Sequence, residues 1–185
     1  ALPAGLRRAP AAAELAHYAA QHRGRGWAKP VFELALRWLA EHAPPAPPRF
    51  TLVHGDFRNG NLIVDAHGLR AVLDWELAHL GDPMEDLGWL CVPSWRFGRL
   101  DLPVGGFGTR GELFAGYAEA GGEVDPARVR FWQLLGTLKW GLMCEAMAQA
   151  HLSGDEPSVE RAAIGRRASE TEIDLLDQLA GEAAR

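Results

Sequence analysis

Oxygen-bearing side chains of the kinds that bind hard cations lie close together in the middle of the chain. Two stretches carry them, HGDFRNGN at 54–61 and VLDWE at 72–76. Asp56, Asn61 and Asp74 supply carboxylate and amide oxygens, which suit Mg²⁺ because this ion keeps several waters and takes few protein ligands. No cage of cysteine and histidine accompanies them to favour a softer metal. The residue types therefore predict a magnesium site.

A predicted hairpin would position these side chains. Three short strands are indicated, FTLV at 50–53, LIV at 62–64 and LRAVL at 69–73. The turn-rich tetrapeptide DAHG joins the second strand to the third. Asn61 lies at the start of the second strand and Asp74 at the end of the third, so the hairpin brings them to the same end. His54 and Asp56 lie on the turn after the first strand.

Phosphoryl transfer is the reaction that this arrangement suits. Its loose transition state leaves the protein mainly to position the reactants and to neutralise charge. Asp56 would accept or orient the proton of an attacking hydroxyl, which contributes roughly 10²–10⁴-fold in rate. A metal ion on Asn61 and Asp74 would supply much of the remaining stabilisation. His54 would orient the loop through its ring.

The stretch 54–61 resembles the HGD-x-x-x-x-N loop of the aminoglycoside phosphotransferase and choline kinase-like families, which are relatives of the protein kinases with H-R-D-x-x-x-x-N. The resemblance implies that Asp56 is the catalytic base. It also implies that Asn61 and Asp74 bind Mg²⁺ and the nucleotide, which is ATP or alternatively GTP. The acceptor would be a hydroxyl group of a small molecule.

Two further stretches extend the resemblance. GDPMEDLGWL at 81–90 is similar to the family's GDP-x-x-DLA segment, which implies that Asp86 braces the catalytic loop. The tail at 158–179 resembles the subgroup of phosphotransferases that is fused to acyl-CoA dehydrogenases. The likeness therefore covers most of the chain and is strongest over 50–91.

The implied fold is mainly α with a small β-hairpin, as in the C-terminal lobe of a protein-kinase-like α+β fold. Residues 1–49 show neither a Gly-rich loop nor a strand lysine, since Lys29 lies before a helix. We therefore expect the N-terminal lobe to be missing, and the chain alone to bind nucleotide weakly and turn over little. A single domain over 1–185 would comprise a helical lead-in (1–49), the catalytic loop, hairpin and metal segment (50–91), and a substrate-side loop with a helical body (92–185).

Helical patterns account for most of the remaining chain. Helices are predicted at 11–22, at 30–42, from Asp82 to before Pro93, from Thr109 to Gly121, from Asp125 to about His151, and from Pro157 to about Ala180. Asp82 and Glu85, like Thr109 and Glu112, have the spacing of a capping box. The tryptophans Trp38, Trp132 and Trp140 lie in apolar helical runs, which predicts core positions.

Several polar residues near the motif have two interpretations. Arg58 and Asn59 either reach phosphate or substrate, or fill the loop. Glu76 either contacts the substrate or a side chain that binds the metal, or is an exposed carboxylate at the hairpin end. Asp82 is interpreted as a helix cap and Asp86 as a buried anion hydrogen-bonded to loop amides.

The segment 89–108 is expected to face the substrate. Its aromatic residues are Trp89, Trp95, Phe97 and Phe107, whereas Asp101 is its one acid. A polycationic aminoglycoside would need a cleft lined with carboxylates. A less charged, partly apolar hydroxyl compound is therefore predicted, and the subgroup resemblance suggests an acyl-thioester-linked hydroxy acid.

Two other functions remain open. The first is a non-catalytic binding module of kinase ancestry, and the second is a metal-dependent phosphohydrolase that uses His54, Asp56, Asp74 and His79. The motif GFGTRG at 106–111 matches a dinucleotide-binding pattern, but Pro103 interrupts the strand that should precede it. A flexible loop is the better interpretation.

Composition narrows the possible partners. The net charge is −5 and the pI is near 5.8, so the composition does not indicate the excess of positive charge that binds nucleic acid or an anionic membrane. No apolar run approaches the roughly 18 residues that span a bilayer. Cys91 and Cys144 lie in apolar stretches without metal-binding spacing, which predicts buried free thiols and a cytoplasmic protein.

Overall fold

The computed structural model describes residues 5–26 and 29–183. Its helices are α1 (Ala11–Gly24), α2 (Pro30–Glu41), α3 (Met84–Leu90), α4 (Arg110–Glu119), α5 (Pro126–Ser153), α6 (Val159–Gly165) and α7 (Ala168–Ala183). Its strands are β1 (Thr51–Val53), β2 (Leu62–Asp65), β3 (Gly68–Val72) and β4 (His79–Gly81). The protein is therefore mostly helical with short strands, as predicted. None of these helices combines the length and apolar character that crossing a bilayer requires.

The strands form two small antiparallel sheets. β2 and β3 form the predicted hairpin, with Leu62 opposite Val72 and an irregularity between Ile63 and Val64. β1 pairs with β4, and Val53 lies opposite His79. The prediction of a single hairpin was wrong in this respect, because β4 has only three residues and its partner is distant in sequence. No local signal could reveal that pairing.

The chain groups into two compact units. The first combines the residues up to Glu14 with His42–Gln133, and the second combines Leu15–Glu41 with the residues from Leu134 onward. The candidate chemistry of the sequence lies in the first unit.

The core of the first unit forms around α3. Its buried apolar side chains include Val53, Met84, Leu87, Trp89, Leu90, Cys91, Trp95, Val104, Phe131 and Trp132. Gly88 lets α3 approach the start of α5 closely, since a Cβ atom there would lie 2.6 Å from Cβ of Trp132 and 2.7 Å from N of Gln133. The predicted core position of Trp132 is confirmed.

The core of the second unit is built from α2, the later part of α5, and α7. Its fully buried side chains include Phe32, Leu39, Leu135, Leu138, Leu142 and Leu175. At Gly141 a Cβ atom would lie 2.5 Å from Cζ of Phe32, so this glycine permits close packing. Trp140 is buried as predicted, whereas Trp38 is only half-buried.

The last predicted helix, from Pro157 to about Ala180, is wrong. The chain forms α6 and α7 with a turn at Arg166 and Arg167 between them. Gly165 ends α6 against Ala148, where an added Cβ atom would lie 2.6 Å from the Ala148 Cβ. This close packing against α5 is a tertiary constraint that helical periodicity does not report.

Both cysteines are free and buried, as predicted. Cys91 belongs to the first unit, where it lies in an apolar cluster with Leu90 and Val104. Cys144 belongs to the second unit. Burial raises the pKa of the Cys91 thiol, and it raises the pKa of the Cys144 thiol to about 12.

Candidate active site

The loop that follows β1 is held in a tight left-handed turn at Gly55. This residue has φ +82°, and a Cβ atom on it would lie 2.7 Å from the carbonyl oxygen of Leu77. Any other residue would meet both strained backbone and a steric clash. Glycine is therefore required between His54 and Asp56.

Asp86 holds this loop from the first turn of α3. Its carboxylate accepts hydrogen bonds from the backbone N–H of His54 at 2.8 Å and of Gly55 at 3.0 Å. Charge-assisted hydrogen bonds of this kind are among the stronger ones in proteins. The expected contacts of Asp86 with loop amides are thus present.

The imidazole of His54 is fixed at both nitrogens. Its Nδ1 accepts a hydrogen bond from the N–H of Asp56 at 3.1 Å, so Nε2 carries the proton and donates to the carbonyl of Leu73 at 2.8 Å. The ring also lies 4.6 Å from that of Trp75, centroid to centroid. His54 therefore ties the loop to the end of the hairpin, in the geometry expected of an orienting residue.

Three side chains donate hydrogen bonds to the carboxylate of Asp56. Nδ2 of Asn61 lies 2.7 Å from Oδ2, and Nε1 of Trp89 lies 2.9 Å from Oδ1. Nε of Arg58 lies 3.2 Å from both oxygens. Buried tryptophan N–H groups usually find an acceptor. Here the acceptor is the central carboxylate of the motif.

The contact with Trp89 was missed by the sequence analysis, which assigned this residue to the substrate-side segment. A weak signal existed, because Asp86 and Trp89 are three residues apart on α3 and share one face of that helix. A residue on the face that binds the loop at Asp86 could be expected near Asp56. The identity of its acceptor needed the tertiary structure.

Asn61 and Asp74 lie at the same end of the hairpin. The N–H of Leu73 donates to the carbonyl of Asn61 at 2.9 Å, one step beyond the paired strands, and Asp74 follows directly. The Asn61 amide nitrogen also donates to the backbone carbonyl of Asp56 at 2.9 Å, so its amide oxygen is turned away from that residue. The Asp74 carboxylate is exposed on a left-handed backbone with φ +65°.

The side chains of Asn61 and Asp74 offer one amide oxygen and one carboxylate. Both are hard ligands of the kind that Mg²⁺ takes in small number beside waters and phosphate oxygens. The left-handed conformation of Asp74 is uncommon for a residue other than glycine, although Asp and Asn tolerate it best. Such conformations concentrate at functional sites.

Arg58 and Asn59 both contact the segment beyond α3, whereas Glu76 is exposed. The guanidinium of Arg58 lies over the ring of Trp95, 5.0 Å from its centroid. Nδ2 of Asn59 donates to the carbonyls of Gly105 at 3.0 Å and Trp95 at 3.3 Å, so this residue fastens the loop to the segment beyond α3. Glu76 is exposed in the turn after Asp74.

His79, the second histidine of the phosphohydrolase hypothesis, pairs with groups outside the HGDFRNGN motif. Nε2 of His79 lies 3.1 Å from the carboxylate of Glu85, and Nδ1 lies 2.9 Å from the carbonyl oxygen of Leu77. Burial is the largest single effect and lowers the pKa of the His79 imidazole, but the hydrogen bond and charge of Glu85 and the hydrogen bond to the Leu77 carbonyl together outweigh it, so the pKa is raised. Arg7 opposes this effect weakly. Within the part of the chain that the structure describes, no group of three or more His, Cys, Asp or Glu side chains could hold a metal ion.

Asp82 and the GFGTRG segment are structural. Oδ1 of Asp82 accepts from the N–H of Met84 at 3.0 Å, while Oδ2 pairs with the guanidinium of Arg128. In the second segment, Val104 and Gly108 form a β-bridge, and Thr109 then begins α4 with the predicted capping box to Glu112. Asp82 thus holds the start of α3, but the predicted capping box with Glu85 is wrong, because Pro83 is the N-cap of this helix and the Glu85 carboxylate pairs with His79. GFGTRG lies in a loop that leads into a helix, as interpreted.

Solved phosphotransferases share this fold. The crystal structure of a protein of the aminoglycoside phosphotransferase type from Ralstonia eutropha superposes with a TM-score of 0.74 at 21% identity, over 96% of this chain and 56% of that one. A thermostable mutant of aminoglycoside phosphotransferase APH(4)-Ia gives a TM-score of 0.60 at 20% identity, over 92% and 52% of the two chains. The chain thus spans about half the length of these proteins. Another mutant of the latter enzyme was solved with AMP-PNP and hygromycin B, and its TM-score is 0.52 at 21% identity, over 87% and 51%.

The chain belongs to the phosphotransferase enzyme family, whose sequence profile matches residues 3–132. Relatives include acyl-CoA dehydrogenase family member 10 of Mus musculus, 48% identical over 65 residues, and member 11 of Gallus gallus, 42% identical over 62 residues. The matched regions are 34% and 32% of this chain but only 6% and 8% of those proteins. The resemblance to this subgroup is confirmed.

Proposed function

We propose that this chain carries the catalytic loop and metal ligands of an enzyme that transfers the γ-phosphoryl group of a nucleoside triphosphate to a hydroxyl of a small molecule. The observation that carries the proposal is the Asp56 carboxylate, which is held by donors from the loop, the hairpin and α3. A carboxylate fixed in this way is preorganised to orient a hydroxyl and accept its proton.

In this proposal Asp56 acts as the general base. The acceptor hydroxyl donates a hydrogen bond to its carboxylate and passes over its proton as the bond from the hydroxyl oxygen to phosphorus forms. The bond from the γ-phosphorus to the oxygen that bridges the β- and γ-phosphates breaks, and the nucleoside diphosphate leaves with that oxygen. His54 and Asp86 do not react; they hold the loop so that the carboxylate meets the hydroxyl at the required distance.

Asn61 and Asp74 would hold Mg²⁺ through their amide and carboxylate oxygens. The ion, when bound, neutralises the charge of the phosphate oxygens. Asn61 has a second task, because its amide nitrogen donates to Asp56. One side chain therefore links the proposed metal site to the proposed base.

The donor is proposed to be ATP by analogy with the fold relative that was solved with AMP-PNP. The nature of the acceptor is suggested by the segment beyond α3. Phe97 is 71% exposed and Phe107 is 59% exposed, whereas the carboxylate of Asp101 is paired with Arg99. A segment that has exposed aromatic rings and whose one acid is paired with an arginine favours a partly apolar hydroxyl compound over a polycation.

The proposal is tested by replacing Asp56 with Asn. This change keeps the size of the side chain but removes the proton acceptor, so we expect kcat for MgATP-dependent transfer to fall about 10²–10⁴-fold. Because this chain spans about half the length of the solved relatives, transfer in every variant would be measured in a protein that joins the chain to a nucleotide-binding N-terminal lobe, with a panel of hydroxylated acceptors. Glu119→Gln, which changes an exposed carboxylate at the end of α4, is the matched control.

The thermal midpoints of both variants would be measured alongside. Asp56→Asn keeping kcat within a few-fold of the unmodified protein would rule out the proposed base. A loss of transfer in Glu119→Gln of similar size would show that the effect is not specific to Asp56.

A further inference from the structure

The donors to the Asp56 carboxylate differ in mobility. The Arg58 side chain is 30% exposed and ends in a long flexible stem, and its Nε is shared between the two oxygens. Trp89 is only 2% exposed and Asn61 is 6% exposed. Side chains buried to this extent lie in single rotamers within close-packed surroundings. The indole and amide donors are therefore the fixed ones.

The two fixed donors bind different oxygens of the carboxylate. Trp89 donates to Oδ1 and Asn61 donates to Oδ2. Because both oxygens are held, the rotation of the carboxylate about its Cβ–Cγ bond is held as well. The edge between the oxygens faces Arg58, whose side chain can move.

The position of Trp89 is itself fixed by α3. Gly88 brings this helix against the backbone of α5, and the ring of Trp89 lies 5.3 Å from that of Trp95, centroid to centroid. One turn earlier, Asp86 accepts two backbone hydrogen bonds from the loop. Helix α3 thus binds the loop at its backbone through Asp86 and at its central carboxylate through Trp89.

We propose that Trp89 is a positioning residue, whose indole N–H sets the orientation in which Asp56 receives the acceptor hydroxyl. The inference rests on the proposed function, since it assigns Trp89 a part in the same reaction. Trp89 acts through Asp56 and does not touch the reacting atoms. When Arg58 withdraws, the edge of the carboxylate that it covered is the one presented to the hydroxyl.

The test is Trp89→Phe, which keeps a buried aromatic ring and removes the N–H. We expect kcat to fall about 10–100-fold, since small errors of placement cost up to about 10²-fold, while KM for donor and acceptor changes little. The matched control is Trp132→Phe. Among the described residues no acceptor faces Nε1 of Trp132, so this variant loses the same atoms from a buried ring without losing a hydrogen bond.

A second readout does not depend on activity. In ¹H–¹⁵N spectra, the indole signal that disappears in Trp89→Phe belongs to Trp89. We expect this signal to move upfield in Asp56→Ala, because its proton loses a charged acceptor, while the indole signal of Trp132 stays in place. If Trp89→Phe is too unstable, the indole signals are assigned in the unmodified protein from nuclear Overhauser contacts, and the shift in Asp56→Ala still tests the hydrogen bond.

The outcomes separate this inference from the proposed function. If Asp56→Asn retains transfer, the proposed function fails whatever Trp89 does. If Asp56→Asn is inactive but Trp89→Phe keeps the kcat of the Trp132→Phe control, only the positioning role fails. The positioning role would also be overturned if the indole signal of Trp89 stayed in place in Asp56→Ala. The same holds if Trp89→Phe raised KM and left kcat unchanged.

Discussion

At the scale of single residues, the carboxylate of Asp56 accepts hydrogen bonds from three side chains, two from its own motif and one from α3. Arg58 is two residues away, Asn61 is five residues away, and Trp89 is 33 residues away. The two nearer donors come with the motif itself. The third depends on how α3 packs, so the orientation of the proposed base combines local and tertiary contributions.

Asp74 provides a prediction at this scale. Its side chain is exposed, and Asn tolerates the left-handed backbone that Asp74 adopts. Asp74→Asn should therefore change the free energy of unfolding by no more than about 0.5 kcal/mol. We expect the Mg²⁺ concentration for half-maximal transfer to rise about tenfold or more, because a charged ligand of the proposed metal site becomes neutral.

The measurement is a magnesium titration of the transfer rate, with urea unfolding alongside. Glu119→Gln is the matched control, since it neutralises an exposed carboxylate at the end of α4, outside the proposed site. An unchanged magnesium requirement in Asp74→Asn would remove this residue from the metal site. A shift of the same size in Glu119→Gln would point to general electrostatics instead.

At the scale of elements, α3 is the part that organises the site. Its first turn holds the loop through Asp86, and the following turn carries Trp89. The strand β4 precedes it, and the pair of His79 with Glu85 joins the strand to the helix. Because Glu85 is next to Asp86 in α3, we expect the loss of this pair to loosen the turn of α3 that holds the loop.

The His79–Glu85 pair provides a prediction of pH dependence. The pKa of His79 is raised in the folded state above its ordinary value of 6.5. Its stabilising contribution is therefore complete below that ordinary pKa, and it is lost as the pH rises through the folded-state value. The free energy of unfolding of the unmodified protein should exceed that of Glu85→Gln by more at about pH 6 than at about pH 9.

Urea unfolding at a series of pH values would measure this difference. Arg7 also acts on His79, so it stays unchanged in both proteins. A difference that is constant with pH would mean that Glu85 does not raise the pKa of His79 in the folded protein. A difference that grows with pH would contradict the direction of the shift.

At the scale of the whole molecule, each compact unit contains one cysteine. Cys91 and Cys144 are both fully buried, and burial raises the pKa of each thiol, to about 12 for Cys144. Because the thiolate is the reactive form, both should be inert in the folded protein.

We predict that neither thiol reacts with a water-soluble aromatic disulfide at neutral pH, and that both react once the protein is unfolded in denaturant. Mass spectrometry of peptides would assign each modification. Because the two cysteines lie in different units, each one reports on the opening of its own unit. Rapid native labelling of either cysteine would show that its unit opens readily.

The sequence by itself determined the locally encoded parts. The turn of the β2–β3 hairpin, the capping box of Thr109, and the position of Asn61 and Asp74 at one end of the hairpin could all be predicted, because each depends on residues close together in the chain. Buried Cys91 and Cys144 followed from their apolar surroundings. The roles of the site residues remain proposals.

Only the tertiary structure decided the rest. The pairing of β4 with β1, the break between α6 and α7, the acceptors of Asn59 and the hydrogen bond from Trp89 to Asp56 all join parts that are distant in the chain or depend on another helix. Periodicity and capping describe what a segment forms alone. Which indole reaches which carboxylate depends on how α3 lies against the loop after β1, and here the two hydrogen bonds from the loop backbone to Asp86 hold them together.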